Sequence, residues 1–346
     1  MKALVFHEPG RIVVEDVADI SPGPGELVID VAAAAICHSD IRVYLGQKHA
    51  KPGVIPGHEM AGFVSAIGDS VDDFKPGDRV VICPIVACGT CVFCLSGRQH
   101  RCIARRTLGY DENGGLAERV LIPAQLRAVG HVLRPPARLS LARACFTEPL
   151  ACVLNSLETC RVRAGTSLVV IGAGPMGLYH VLLARKLGAG MIIVSEPDPN
   201  RQEWAKRLGA TDVVDPTRTE LVATVHEHTG GIGAEAVIIT AGLGDMVEAA
   251  LQMTRPQGYV SLFAGFPPNT HADFDVNVVH YKEIRLTGSQ NASPTQYRRT
   301  MELLPHLPEI DELGTHRFAL ADAAQAYEVR LRNEGLKSMV VVDERA

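Results

Sequence analysis

Long apolar runs, blocks of like charge, internal repeats and low-complexity segments are all missing from this chain of 346 residues. No apolar stretch reaches the ~18 residues that a membrane helix requires. The opening MKALVFHEPG has no apolar core of the kind a signal peptide carries. No membrane partner is expected, and a cytoplasmic location is. The formal charge is -5, from 34 Lys plus Arg against 39 Asp plus Glu, and it argues against nucleic acid as a partner. With 47% hydrophobic and 21% charged residues the composition is that of an ordinary globular protein. The length calls for two domains rather than one core.

What is present in force is cysteine. Nine cysteines in a cytosolic chain are ligands and buried thiols before they are disulfides, so their grouping matters more than their number. Cys88, Cys91, Cys94 and Cys102 follow the spacing C-x2-C-x2-C-x7-C, which matches a closed tetrahedral zinc site that contributes folding energy. Cys83 falls outside that pattern and reads as a buried thiol. A second set begins with Cys37 and continues at His58 and Glu59. Cys37 and His58 stand 21 residues apart, too far for a local finger, so a shared metal there requires tertiary folding. A thiolate with an imidazole suits zinc, and a catalytic zinc keeps one position open.

The residues around these sets read as short strands: KALVF, RIVVEDV and, after the turn-forming SPGPG, ELVIDVAAAAI. Near Glu148-Pro149-Leu150 the pattern changes to alternating strands and helices. SLVVIGAGPMG gives a β-branched run and then Gly172, Gly174 and Gly177 in G-x-G-x-x-G, with Pro175 and Met176 between, opening a helix to about Leu187. The first glycine permits a tight turn, the second lets backbone approach a pyrophosphate, and the third lets the helix pack closely. The helix N-terminus then offers free N–H groups to phosphate. The next strand, MIIVSE, ends in Glu196, placed to hydrogen-bond the ribose hydroxyls of NAD. Arg201 keeps NADP open, since an arginine there binds a 2'-phosphate. EAVIITAG, GYVSLFAG and EIRLTGS are further strands, so a parallel doubly wound sheet is expected between Glu148 and Ser289.

Cys37, then Gly57-His58-Glu59, then the four-cysteine lobe and the Gly-rich second half together resemble the zinc-dependent medium-chain dehydrogenases over essentially the whole chain. The family includes alcohol, sorbitol and butanediol dehydrogenases. The resemblance implies an α/β fold: a Rossmann doubly wound parallel sheet over residues 148–289, and a mainly β, GroES-like catalytic domain over 1–147 that residues 290–346 rejoin. It implies reversible oxidation of a secondary alcohol to a ketone, with zinc polarising the substrate oxygen and NAD or NADP taking the hydride. Cys37 and His58 carry over as zinc ligands, and Glu59 as a third ligand or a close neighbour. Glu148 stands in Glu-Pro-Leu as in the polyol branch, binding zinc directly or through water. Ser39 matches the hydroxyl that accepts the substrate proton, and Asp40 the carboxylate that orients His58.

One departure concerns Arg42, which replaces the histidine that passes the proton outward in many relatives. Arginine cannot accept it, so either the relay ends at solvent or Arg42 binds an anionic group. Ser289, Gln290 and Asn291 fit either a hydroxyl-rich ligand or the nicotinamide amide. Sugar alcohols, small diols and cyclitols, including aminocyclitols of the 2-deoxy-scyllo-inosamine kind, are the expected substrates. The segment from Glu148 to Cys152 argues against threonine. The competing readings are an NADP-dependent carbonyl reductase and a dinucleotide-binding protein without catalysis. A homodimer or homotetramer is implied by the family.

Overall fold

The computed structural model describes residues 1–343 and Arg345; Glu344 and Ala346, at the end of the expected returning tail, lie outside the described residues. The chain divides into two compact units, Met1–Ala151 with Ala292–Ala346, and Cys152–Asn291.

The first unit is built on a seven-stranded, mostly antiparallel sheet. Its strands run in the order His316–Ala319, Ser338–Val341, Leu27–Ala35, Glu59–Ile67, Arg79–Ile82 and Val132–Leu133, and Arg119–Ile122 also pairs with Leu27–Ala35. Leu27–Ala35 is the hub. Eight of its nine residues are buried, and Ala32 to Ala35 are fully so. Alanine has little β preference of its own, so pairing on both edges and burial on both faces hold this run extended. Ala33–Ala35 pairs antiparallel with Val341–Met339, which brings the C-terminal segment onto the N-terminal sheet. Leu27, Ile29, Val64, Val80, Leu116 and Tyr327 belong to the core on this sheet.

The second unit holds six parallel strands in the order Asp212–Val214, Met191–Ser195, Ser167–Ile171, Ala234–Ile239, Thr254–Leu262 and Arg285–Gly288. Counted along the chain this is 3-2-1-4-5-6, the doubly wound order, with its reversal between Ser167–Ile171 and Ala234–Ile239. The α/β fold expected from the sequence is therefore the one observed. Sequence reasoning missed the strand Asp212–Val214, whose three residues are too few to show an alternation. The helix after the Gly-rich turn runs Pro175–Lys186, with proline at its first position where a missing N–H costs nothing. Among the described residues no helix is long and apolar enough to cross a membrane.

Candidate active site

Strand register, not sequence proximity, assembles the first candidate metal set. Ala35 pairs with Glu59 across the antiparallel ladder, so Cys37, just beyond one strand, meets His58, just before the other. One ligand atom from each of Cys37, His58 and Glu59 lies within 4.8 Å of the others. Glu148, expected to complete the set, is outside that group. It is buried in the first turn of the helix Thr147–Thr159, and its charge still acts on Glu59 and Lys48.

The helix His38–Tyr44 starts at Cys37, whose backbone N–H donates to Asp40 Oδ2 at 2.9 Å. The other oxygen of Asp40 lies 3.2 Å from His58 Nδ1. Burial opposes charge on both groups, but their mutual attraction prevails. Asp40 is lowered from the usual carboxylate range and His58, helped by Cys37, is raised well above the usual imidazole value. A carboxylate can only accept, so its contact with Nδ1 assigns the ring hydrogen to that nitrogen and leaves Nε2 as the atom for a metal.

Tyr110 joins this network and was not read from the sequence. Its hydroxyl is 3.0 Å from His58 Nδ1 and 2.6 Å from Ser39 Oγ. Burial, with the charges of Asp40 and Cys37, raises the phenol well above its ordinary value, so it stays protonated. With Nδ1–H shared between Asp40 and Tyr110, the phenol hydrogen points to Ser39, and Tyr110 donates to Ser39 Oγ. Lys48 Nζ sits 3.5 Å from the centre of the Tyr110 ring. Gly57 makes the arrangement possible. It adopts φ +93, and a β-carbon there would stand 2.8 Å from the Leu116 side chain and 2.9 Å from its backbone nitrogen. The loop carrying Tyr110 could not then close on His58.

Lys337, also unread in the sequence, approaches the site from the C-terminal segment. Its Nζ lies 2.6 Å from the Glu59 carboxylate, and both residues are buried. Burial raises Glu59, Lys337 opposes that, and Glu148 adds to it. No local pattern announces such a lysine. Arg42, half-buried, lies on the same helix as Ser39.

The four cysteines form a separate lobe. One Sγ from each lies within 4.8 Å of the rest, with Cys91–Cys94 at 3.5 Å and Cys88–Cys94 at 3.9 Å. A tetrahedron with zinc–sulfur arms of ~2.3 Å has edges of about 3.8 Å, so the donor set fits that ion. The backbone N–H groups of Thr90 and Cys91 pull Cys88 down to about 6, while burial pushes Cys94 up to about 12. All nine cysteines are free thiols. Cys83 is fully buried, and burial raises its thiol to about 12, as suits a packed, unreactive sulfur.

In the second unit Gly172 takes φ +97, and a β-carbon on Gly177 would stand 1.9 Å from the Gly172 carbonyl. At Gly174 a β-carbon would meet nothing within 4 Å, which leaves open space above the turn for a ligand. Pro175 and Met176 form the first helical positions beneath it. Glu196 is buried beside this turn: Oε2 accepts from Ala173 N–H at 2.6 Å and Oε1 from Asp198 N–H at 3.0 Å. Arg201 is half-exposed in the first turn of the helix Pro199–Leu208. Ser289 and Gln290 follow the edge strand, and the Asn291 carbonyl accepts from Asn155 Nδ2 at 2.8 Å.

Two family profiles match the chain: the alcohol dehydrogenase GroES-like domain over residues 23–131 and the zinc-binding dehydrogenase domain over 175–305. A D-arabitol-phosphate dehydrogenase from Enterococcus avium is 32% identical over 350 residues, covering 98% of this chain and 97% of its own. This chain is a zinc-binding medium-chain dehydrogenase. An L-threonine 3-dehydrogenase from Pyrococcus horikoshii is likewise 32% identical, over 92% of this chain and 91% of its own. A crystal structure of a zinc-binding dehydrogenase from Sinorhizobium meliloti bound to NADP superposes with TM-score 0.90 at 30% identity, covering 98% of each chain. The zinc-binding dehydrogenase described here is thus an oxidoreductase of the alcohol and polyol type, with zinc and a nicotinamide dinucleotide as its cofactor classes.

Proposed function

We propose that this dehydrogenase interconverts a secondary alcohol and a ketone on a polyol, diol or cyclitol, using NAD. The observation that carries the reading is the chain of contacts from Asp40 through His58 and Tyr110 to Ser39, built around the Cys37 and His58 donors. Cys37 and His58 would hold the zinc, which would supply Lewis-acid polarisation of the alcohol oxygen. Glu59 is committed to Lys337 and acts beside the metal, balancing charge. Glu148, buried but outside the tight donor group, would add its negative charge beside the metal.

The protein's own groups handle orientation and the proton. Asp40 fixes the His58 ring. Tyr110 donates to Ser39 Oγ, so one lone pair of Ser39 is used and the other is free to accept from the substrate hydroxyl. The Ser39 hydrogen then passes to solvent, because Arg42 is always protonated and cannot take it. Glu196, at the end of its strand beside the Gly-rich turn, favours the free ribose hydroxyls of NAD over a 2'-phosphate.

A second reading has support of its own. L-threonine 3-dehydrogenase is as similar to this chain as the arabitol-phosphate enzyme, so threonine belongs in any substrate panel despite the sequence from Glu148 to Cys152. The test is turnover of polyols, diols, cyclitols and L-threonine with NAD and with NADP, followed by absorbance of the reduced cofactor. A polyol or cyclitol turned over with NAD supports the proposal. Preference for threonine or for NADP overturns it in favour of the corresponding alternative, and no turnover by fully zinc-loaded protein removes the catalytic reading.

A further inference from the structure

We propose that the dinucleotide-binding unit carries a second, separate anion site, which takes a small phosphate-bearing anion at the edge of the sheet opposite the Gly-rich turn. A cavity of about 260 Å³ opens there, and Arg161, Arg163, Arg255 and Arg285 line it together with Glu235 and Tyr259. The volume is just below the ~300 Å³ at which pockets for drug-sized ligands begin, so a small ligand is the natural occupant.

The location separates it from the nucleotide. Glu235, Arg255 and Arg285 lie at or next to the first residues of their strands, and Arg163 shortly precedes the strand Ser167–Ile171. The Gly-rich turn begins at the other end of Ser167–Ile171, so the five residues of that strand put about 16 Å between the two edges. In doubly wound sheets the dinucleotide uses the carboxyl ends of the strands, which leaves the amino ends free of it.

The charge is unbalanced. Glu235 is the lining carboxylate, and it is already engaged. One oxygen lies 2.7 Å from Arg255 Nη2, and the other accepts the Ser167 N–H at 2.9 Å. Arg161, Arg163 and Arg285 form no ion pair among the described residues, so three guanidinium charges share the cavity without a counter-ion. Tyr259 spaces two of them, with Arg161 at 5.9 Å and Arg285 at 5.3 Å from its ring centre. Arg285 is tethered further by its Nη1 donating to the Gln257 carbonyl at 3.2 Å.

Arg161 also occupies an unusual position. It follows the helix Thr147–Thr159 at φ 55, where a Val162 N–H to Leu157 carbonyl bond of 2.8 Å closes the helix end. Glycine is the common residue at such a left-handed position, yet the chain has an arginine there. Planar guanidinium forks matched to a tetrahedral oxyanion are the chemistry that recognises phosphate.

The test is calorimetric titration of pyrophosphate into the full-length, zinc-loaded protein saturated with NADH, at constant ionic strength. One site per chain is expected. The double variant Arg163→Gln/Arg285→Gln should weaken it roughly 100-fold, from the loss of two charge-assisted partners, while NADH affinity stays unchanged. Should the double variant also lose NADH binding, Arg163→Gln alone, at an exposed residue, must weaken pyrophosphate roughly tenfold. The proposal is overturned if NADH-saturated protein binds no pyrophosphate, or if the variants bind it as wild type does. It is equally overturned if wild type does not bind and the variants only break up an oligomer, for the arginines would then pair with a second copy of the chain.

Discussion

Lys337 Nζ lies 2.6 Å from the Glu59 carboxylate, although the two residues stand 278 positions apart in the chain, and both side chains are shut off from water. Removing one partner leaves a buried charge uncompensated. Lys337→Met is expected to cost about 3–5 kcal/mol of stability, and Lys337→Arg to recover part of it. Guanidinium denaturation reads the difference. A change below about 1 kcal/mol for Lys337→Met would show that the pair is not coupled as its geometry implies.

Tyr110→Phe removes one hydroxyl and keeps the ring. It is expected to lower kcat by about 10-fold or more, as for loss of a group that orients a catalytic one, with KM and zinc content nearly unchanged. Steady-state kinetics beside metal analysis checks this. Unchanged kcat would mean that Ser39 needs no donor from Tyr110.

Cys94→Ser should release the metal of the four-cysteine lobe and lower the unfolding midpoint, because closure of that site is part of folding. Zinc content measured with thermal unfolding decides it. Retention of full zinc and an unchanged midpoint would contradict the assignment.

Burial holds the His131 and His180 imidazoles down to about 4, more than offsetting the backbone carbonyls of Ile85 and Met176 that favour the charged ring. In the unfolded chain they titrate near 6.5, so protonation favours unfolding. Their contribution to stability is complete above pH 6.5 and is lost as pH falls from there to about 4. Each histidine accounts for up to about 1.4 kcal/mol per pH unit in that window. His180→Gln should therefore flatten the fall in stability between pH 6.5 and 5 relative to wild type. Identical slopes in urea denaturation would exclude His180 as a source.

The parts of the site that were legible in the sequence are those whose chemistry is written locally. Cys88 to Cys102 announce themselves by spacing, and Gly172 to Gly177 by the strand before and the helix after. Gly177 shows why the pattern is strict, since any β-carbon would strike the Gly172 carbonyl. Lys337 and Tyr110 are illegible for the opposite reason: one reaches Glu59 through a strand added from the far end of the chain, the other reaches His58 across a glycine-dependent loop contact. Nothing in their own neighbourhoods marks them. Glu148 lies between these cases, because its motif suggests a ligand while the geometry leaves it outside the tight donor group.

Cys37 and His58 are proposed to form a metal site distinct from the four-cysteine lobe, and the zinc content of Cys37→Ser tests this. Wild type is expected to hold about two zinc ions per chain, and the variant about one, folded and without turnover. A variant that keeps the wild-type zinc content, or a wild type that holds a single ion unaffected by the substitution, would contradict it.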